Sequence, residues 1–175
     1  MIRSLLILFA FTAALSLVAR PKMTPALLAA SSRVGGSTTA GPFTYHRVEL
    51  KAGSVGWIEL YEVEFKAGGG SYGLASSTLT SPNSWFNGPV SSLNDGSASG
   101  GLNYTSVGAG NWAQLNITTP VAVDVQAVRI APHPTDNQSV GLRYYTSPDG
   151  TTWTLRKEVL QTISTITWTE ISVAN

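Results

Sequence analysis

No cysteine occurs among the 175 residues of the chain. That excludes a disulfide framework, a thiolate metal site and a cysteine nucleophile together. Charge is scarce as well: charged side chains are 12% of the residues, the formal net charge is +1, and no Lys/Arg run exceeds two residues. A chain so weakly basic carries no electrostatic footprint for nucleic acid, and no nucleic-acid partner is expected. A disordered chain needs high net charge and few apolar residues, and with 43% hydrophobic residues this one fits a folded class. Histidine is limited to His46 and His133. A Ser-His-Asp arrangement would have to use one of them. His46 lies inside a strand pattern, and His133 has only Asp136 nearby and no nucleophile motif.

Helical periodicity is missing from most of the chain, and the one extended apolar run is N-terminal. Arg3 supplies a positive charge, and residues 5–19 follow without a charged side chain. The run is short for a bilayer span, which needs about 20 apolar residues. Residues 1–30 are therefore expected to be an apolar segment that is either a secretory signal peptide or a retained anchor buried in an assembly. Thr24 and Pro25 could cap a short helical turn over residues 25–30. Residues 31–42, rich in Gly, Ser and Thr, read as a flexible linker. The folded domain is expected over residues 43–175.

What the domain does contain is alternation. His46, Val48 and Leu50 fall on one face of a strand, with Tyr45, Arg47 and Glu49 on the other. In the next strand Val63 and Phe65 are expected inward, Glu62 and Glu64 outward. Further strands are expected at residues 113–117, 121–130, 140–146, 153–160 and 165–173. Turn signals at Thr119-Pro120, Pro132–Asn137 and Ser147-Pro148-Asp149-Gly150 separate them. Short strands with frequent turns indicate an antiparallel sandwich or barrel. The expected core is Val48, Leu50, Val63, Phe65, Leu115, Ile117, Val128 and Ile130. Residues 67–111 differ: they are rich in Gly, Ser and Asn and carry Tyr72, Trp85, Phe86 and Tyr104 as isolated aromatics. A stretch of this kind is commonly functional.

Several blocks resemble the discoidin family, also called coagulation factor five/eight type C domains. Tyr45-His46-Arg47-Val48-Glu49-Leu50 is similar to the family's opening Tyr-Trp-Arg-Leu strand, with His46 in place of the usual Trp. Leu60-Tyr61-Glu62-Val63-Glu64-Phe65 resembles its Ile-Ala-Glu-Ile-Glu-Leu segment, and Leu93-Asn94-Asp95-Gly96 its Asp-Gly loop. Trp112 to Ile117, followed by Pro120-Val121 and Val128-Arg129-Ile130, resembles its central strand pair. Tyr145 to Trp153 resembles its Ser-x-Asp-Gly-x-x-Trp hairpin. The resemblance implies an all-β, antiparallel jelly-roll sandwich of galactose-binding-like type with roughly eight strands, used for recognition rather than catalysis.

The candidate site follows from the chemistry of sugar binding, which needs an aromatic face for the apolar side of a ring and a few planar polar groups for its hydroxyls. Trp85, Asn87, Tyr104, His133 and Arg143 supply those types. Asp95 could enter a structural Ca²⁺ site, with Glu170 a distant ligand, although an Asx turn accounts for Asp95 as well. No other cofactor is expected. The adjacent carboxylates Glu62 and Glu64 share a strand face, whereas a glycosidase pair flanks its bond about 5 to 9 Å apart. No enzymatic activity is expected. The function read from the sequence is a non-catalytic adhesion module for a surface glycan, displayed extracellularly or on a virion surface. It would be homo-oligomeric, or joined to other chains of an assembly, through residues 1–30. The alternative is a purely structural decoration or fibre protein of a phage virion.

Overall fold

A computed structural model describes residues 41–68, 70–74, 76–96, 103–133, 139–163 and 168–174. The N-terminal segment and nearly all of the linker lie outside the described residues, as do most of the turn expected after Pro132 and the start of the last expected strand. In chain order the strands are β1 (Phe43–Ala52), β2 (Trp57–Ala67), β3 (Gly70–Tyr72), β4 (Thr78–Thr80) and β5 (Asn103–Ser106). They continue with β6 (Trp112–Val123), β7 (Val125–Pro132), β8 (Ser139–Ser147), β9 (Thr154–Val159) and β10 (Thr169–Ser172). A short 3₁₀ turn, Val90–Asn94, lies between β4 and β5.

The strands form two antiparallel sheets, one ordered β4-β6-β1-β8-β9, the other β10-β7-β2-β3 with β5 paired to the opening of β2. β1 shows why. His46, Val48, Leu50 and Ala52 are buried while Tyr45, Arg47, Glu49 and Lys51 face out, so one face of the strand must be covered by a second sheet. All eight expected core residues are 1% exposed or less. Phe65 of one sheet meets His46 and Tyr144 of the other edge-on, at centroid distances of 4.9 and 6.2 Å.

Two local expectations are corrected. Glu62 is buried, not outward, alongside Leu60, Val63 and Phe65. The β2–β7 register shifts between Leu60 and Glu62, and an extra residue in one strand reverses the alternation on one side of the bulge. Residues 121–130 are likewise not one strand. β6 runs through Thr119-Pro120 to Val123, and Asp124 alone separates it from β7. Pro120 is tolerated because the β1–β6 register shifts between Phe43 and Tyr45, and proline fits a sheet at bulges. The Thr119 hydroxyl donates to a carbonyl there, lying 2.6 Å from Val121 O and 3.2 Å from Thr44 O.

The Ser147-Pro148-Asp149-Gly150 turn has the chemistry its residues suggest. Asp149 Oδ1 accepts from the backbone N–H groups of Thr151 (2.8 Å) and Thr152 (2.7 Å), Ser147 Oγ accepts from Gly150 N (2.8 Å), and Gly150 has φ +74°. The Thr152 and Thr151 N–H groups, with the Ser147 hydroxyl, hold the Asp149 carboxyl well below the usual carboxylate range. Trp153 then turns back over the first sheet, where the Arg47 guanidinium lies 4.1 Å from its ring centroid.

Gly56 closes the β1–β2 turn at φ +75°, and its carbonyl accepts from Val107 N and Gly108 N at 3.0 and 3.1 Å. A Cβ there would meet Ala109 N at 2.8 Å and Gly108 Cα at 2.9 Å. Gly56→Ala is therefore expected to destabilise the domain by about 1–3 kcal/mol, read as a lower urea midpoint with unchanged m.

Candidate functional site

The outer face of the β2 sheet divides into two regions of different character. Toward the end of β2 its charges are internally paired. Glu64 bonds Arg129 at 3.1 Å, and Arg129 in turn lies 4.6 Å from the Trp168 ring centroid. Lys66 bonds Glu170 at 2.9 Å. At the opening of β2 the surface is aromatic. Trp57, Glu59 and Tyr61 alternate on one strand and so share a face. β5 pairs with this segment, Trp57 with Ser106 and Glu59 with Tyr104.

Three rings line up there. Tyr104 stacks on Trp57 at 5.6 Å and 10° and on Phe86 at 5.1 Å and 24°. Tyr104 is thus covered on two sides, and the outer rings are open: Trp57 is 45% and Phe86 48% exposed. Beside them the Glu59 carboxylate lies 3.4 Å from His133 Nδ1, and the His133 ring packs on Tyr61 at 5.5 Å. His133 is fixed just past β7 by its backbone N–H, which donates to Glu59 O at 3.2 Å. The arrangement offers apolar ring faces next to a carboxylate and an imidazole, the groups that bind the two sides of a sugar.

Phe86 is held in place by the chain that carries it. Its N–H donates to Tyr104 O at 2.8 Å, and Tyr104 N returns the bond to Phe86 O at 3.3 Å. The Thr105 hydroxyl donates to Ser84 O at 2.7 Å, and Asn103 Nδ2 to Ser92 Oγ at 2.8 Å. Asn94 Nδ2 ties the 3₁₀ turn to Leu74 O at 2.7 Å. A site pinned this way loses little entropy when a ligand arrives.

The structure brings some of the sequence-derived candidates together and separates others. Tyr104 and His133 meet on either side of Glu59. Asn87 follows Phe86, is exposed and has φ +70°, a conformation asparagine tolerates better than most residues. Trp85 is turned the other way: it packs against the core, and its indole N–H donates to Ser81 Oγ at 3.0 Å. Arg143 lies on the outer face of the first sheet, 3.1 Å from the Glu158 carboxylate and 4.0 Å from the Trp112 ring centroid. The two outer faces point away from one another, so Arg143 shares no ligand with Tyr104. Asp95 is exposed directly after the 3₁₀ turn, whereas Glu170 is the β10 partner of Lys66. Among the described residues, no group of three or more His, Asp or Glu side chains gathers in metal-binding fashion.

Trp57, Glu59 and Tyr61 were not singled out by sequence reasoning. The signal was present: Trp57-Ile58-Glu59-Leu60 alternates before the bulge, and a large aromatic on the polar side of a strand is an unusual exposure. No protein-family model matches the chain, and no match was found among curated proteins or solved structures.

Proposed function

We propose that the chain is a non-catalytic recognition module of discoidin type, a galactose-binding-like jelly roll, that binds a surface glycan on the Trp57–Tyr104–Phe86 face. One observation carries the reading: two aromatic rings remain about half exposed at the ends of a rigid stack, beside a carboxylate and an imidazole. Isolated exposed aromatics are ordinary, but a contiguous stack rimmed by polar groups marks a binding surface. A sugar ring lays its C–H face on Trp57 or Phe86, while Glu59 accepts from hydroxyls and His133 and Asn87 supply planar donors and acceptors. Single contacts of this kind are weak, and display of several copies on a surface or particle raises the avidity.

A glycan array probed with the full chain tests the reading. Against any glycan retained, Trp57→Ala or Phe86→Ala should weaken binding by about 1–3 kcal/mol, roughly 5- to 150-fold. Arg143→Ala, on the opposite face, should leave it unchanged. A blank array, or equal retention by the wild type and Trp57→Ala, refutes glycan recognition at this face and favours a surface that packs against protein neighbours.

A further inference from the structure

At the far end of the sandwich lies a cavity that the aromatic face does not involve. Lys66 on its rim is nine residues along β2 from Trp57, roughly 30 Å at the rise of a strand. The cavity measures about 450 Å³ and opens between the sheets, within the range of small-molecule sites. Its walls are Phe43 of β1, the β6–β7 corner from Val123 to Ala127, Tyr144 and Thr146 of β8, Arg156 of β9 and the chain after β10.

Two charged residues are placed there by irregularities in the strands. The β8–β9 register shifts so that Tyr144 pairs with Lys157 and Tyr145 with Leu155, leaving Arg156 as the extra residue. A bulge re-aims a side chain. Here it lays the guanidinium 5.2 Å from the Phe43 ring centroid, with Nε donating to Thr146 Oγ1 at 2.8 Å. Asp124 is the single residue between β6 and β7 and is exposed on the same cavity. Lys66 and Glu170 on the rim neutralise one another at 2.9 Å. Among the described residues, Arg156 and Asp124 have no ion-pair partner within 4 Å.

The polar wall between them is oriented as well. His46 Nε2 lies 2.9 Å from Phe43 O, which can only accept, so Nε2 carries the proton and Nδ1 is an acceptor. The Tyr144 hydroxyl, 2.8 Å from Nδ1, therefore donates inward to His46. Tyr144 lines the cavity but is only 3% exposed. The site thus presents a planar cation and a carboxylate to one cavity, with apolar walls from Val123, Val125 and Val173.

We propose that this cavity binds a small carboxylate that also carries hydrogen-bond donors, its carboxylate on Arg156 and its hydroxyl or ammonium groups on Asp124. An Arg–carboxylate contact is strong because it is charge-assisted and matched to the fork of the guanidinium. A neutral sugar lacks the group Arg156 selects, and a simple carboxylate lacks the donors Asp124 accepts. A sugar acid and an α-amino acid both satisfy the pair, and the experiment separates them.

The test is NMR titration of the full ¹⁵N-labelled chain with D-glucuronate, L-serine, D-glucose and acetate. At least one of glucuronate and serine should shift the amides of Val123, Val125, Gln126 and Val173 in a saturable way, and the one that does identifies the source of the carboxylate. Glucose should leave these amides unmoved, and acetate should bind more weakly than the effective acid. Arg156→Gln should weaken binding at least about tenfold. Asp124→Asn, at an exposed position, keeps the fold and should weaken binding several-fold, so the proposal stands or falls even if the Arg156 variant unfolds. Absence of saturable shifts with both acids overturns the proposal, as do equal shifts with glucose or undiminished binding by the Asp124 variant. The amides of Trp57 and Tyr104 report the aromatic face separately, so failure at either site is read independently of the other.

Discussion

Phe65→Ala is expected to destabilise the domain by about 3–5 kcal/mol, the range for removing a fully buried phenylalanine from a core that cannot collapse around the gap. Phe65 is 0% exposed and lies where the two sheets meet, edge-on to His46 at 4.9 Å and to Tyr144 at 6.2 Å. Its loss removes dispersion contacts to both sheets and leaves a cavity beside the polar His46–Tyr144 pair. Since domains of this kind are stable by about 5–15 kcal/mol in total, such a variant retains a fold only marginally. Urea denaturation should show a much lower midpoint with an unchanged m value. Leu155→Ala, at a β9 position 46% exposed, is the comparison and should change stability by no more than about 0.5 kcal/mol. A Phe65 variant as stable as that one would mean that the sheets do not pack through this residue.

Phe65 also shows why the core was legible in the sequence. Burial on one side of a strand imposes a period of two, and Val48-x-Leu50, Val63-x-Phe65, Leu115-x-Ile117 and Val128-x-Ile130 all carry it. The fold became illegible wherever that period breaks. Glu62 has the composition of an outward residue and the position of an inward one, because one extra residue in β2 reverses the alternation. Nothing in Leu60-Tyr61-Glu62 marks where the bulge falls. Pro120 misled for the same reason: proline signals a turn, but a register shift lets β6 pass through it. Arg156 owes its place in the cavity to a third such shift, so the cation there was hidden from periodicity altogether.

The candidate site was legible in kind more than in place. Tyr104 and His133 belong to the aromatic face, as their residue types suggested, but their partners Trp57 and Glu59 come from a strand far away in the chain. Sequence proximity also misassigned neighbours. Trp85 and Phe86 are adjacent, and alternation sends one indole onto the core and leaves the other ring in solvent. Arg143 alternates with the buried Leu142 and Tyr144 and so faces outward, yet outward on the first sheet is the opposite side of the molecule from outward on the second. Which sheet a strand joins depends on pairings across the whole chain, and a single sequence does not display them.

Lowering the pH from 7 to about 4 is expected to cost the domain about 3 kcal/mol through His46 alone. The imidazole is 0% exposed, and burial pushes its pKa down from 6.5 to about 4, against a smaller opposing effect of the Phe43 carbonyl. Between those values the unfolded chain binds a proton that the folded chain refuses, so stability rises with pH. The contribution is complete above about pH 6.5, is lost as the pH falls toward 4, and changes no further below that; each pH unit in the window is worth about 1.4 kcal/mol. Geometry supports the same sign. Nε2 donates to Phe43 O and Nδ1 accepts from the Tyr144 hydroxyl, so a second ring proton would displace the Tyr144 donor in a pocket closed to water. The melting temperature should therefore fall by on the order of 10 °C between pH 7 and pH 4. Carboxylates such as Asp149, whose pKa is also depressed, act in the same direction but titrate below the interval from pH 6.5 to 5. The double variant His46→Phe with Tyr144→Phe removes both polar partners together and avoids orphaning either one. Its melting temperature should be flat across that interval. A wild type whose stability is equally flat there would show that His46 is protonated as easily in the folded chain as in the unfolded one, and that its ring is not buried neutral between the sheets.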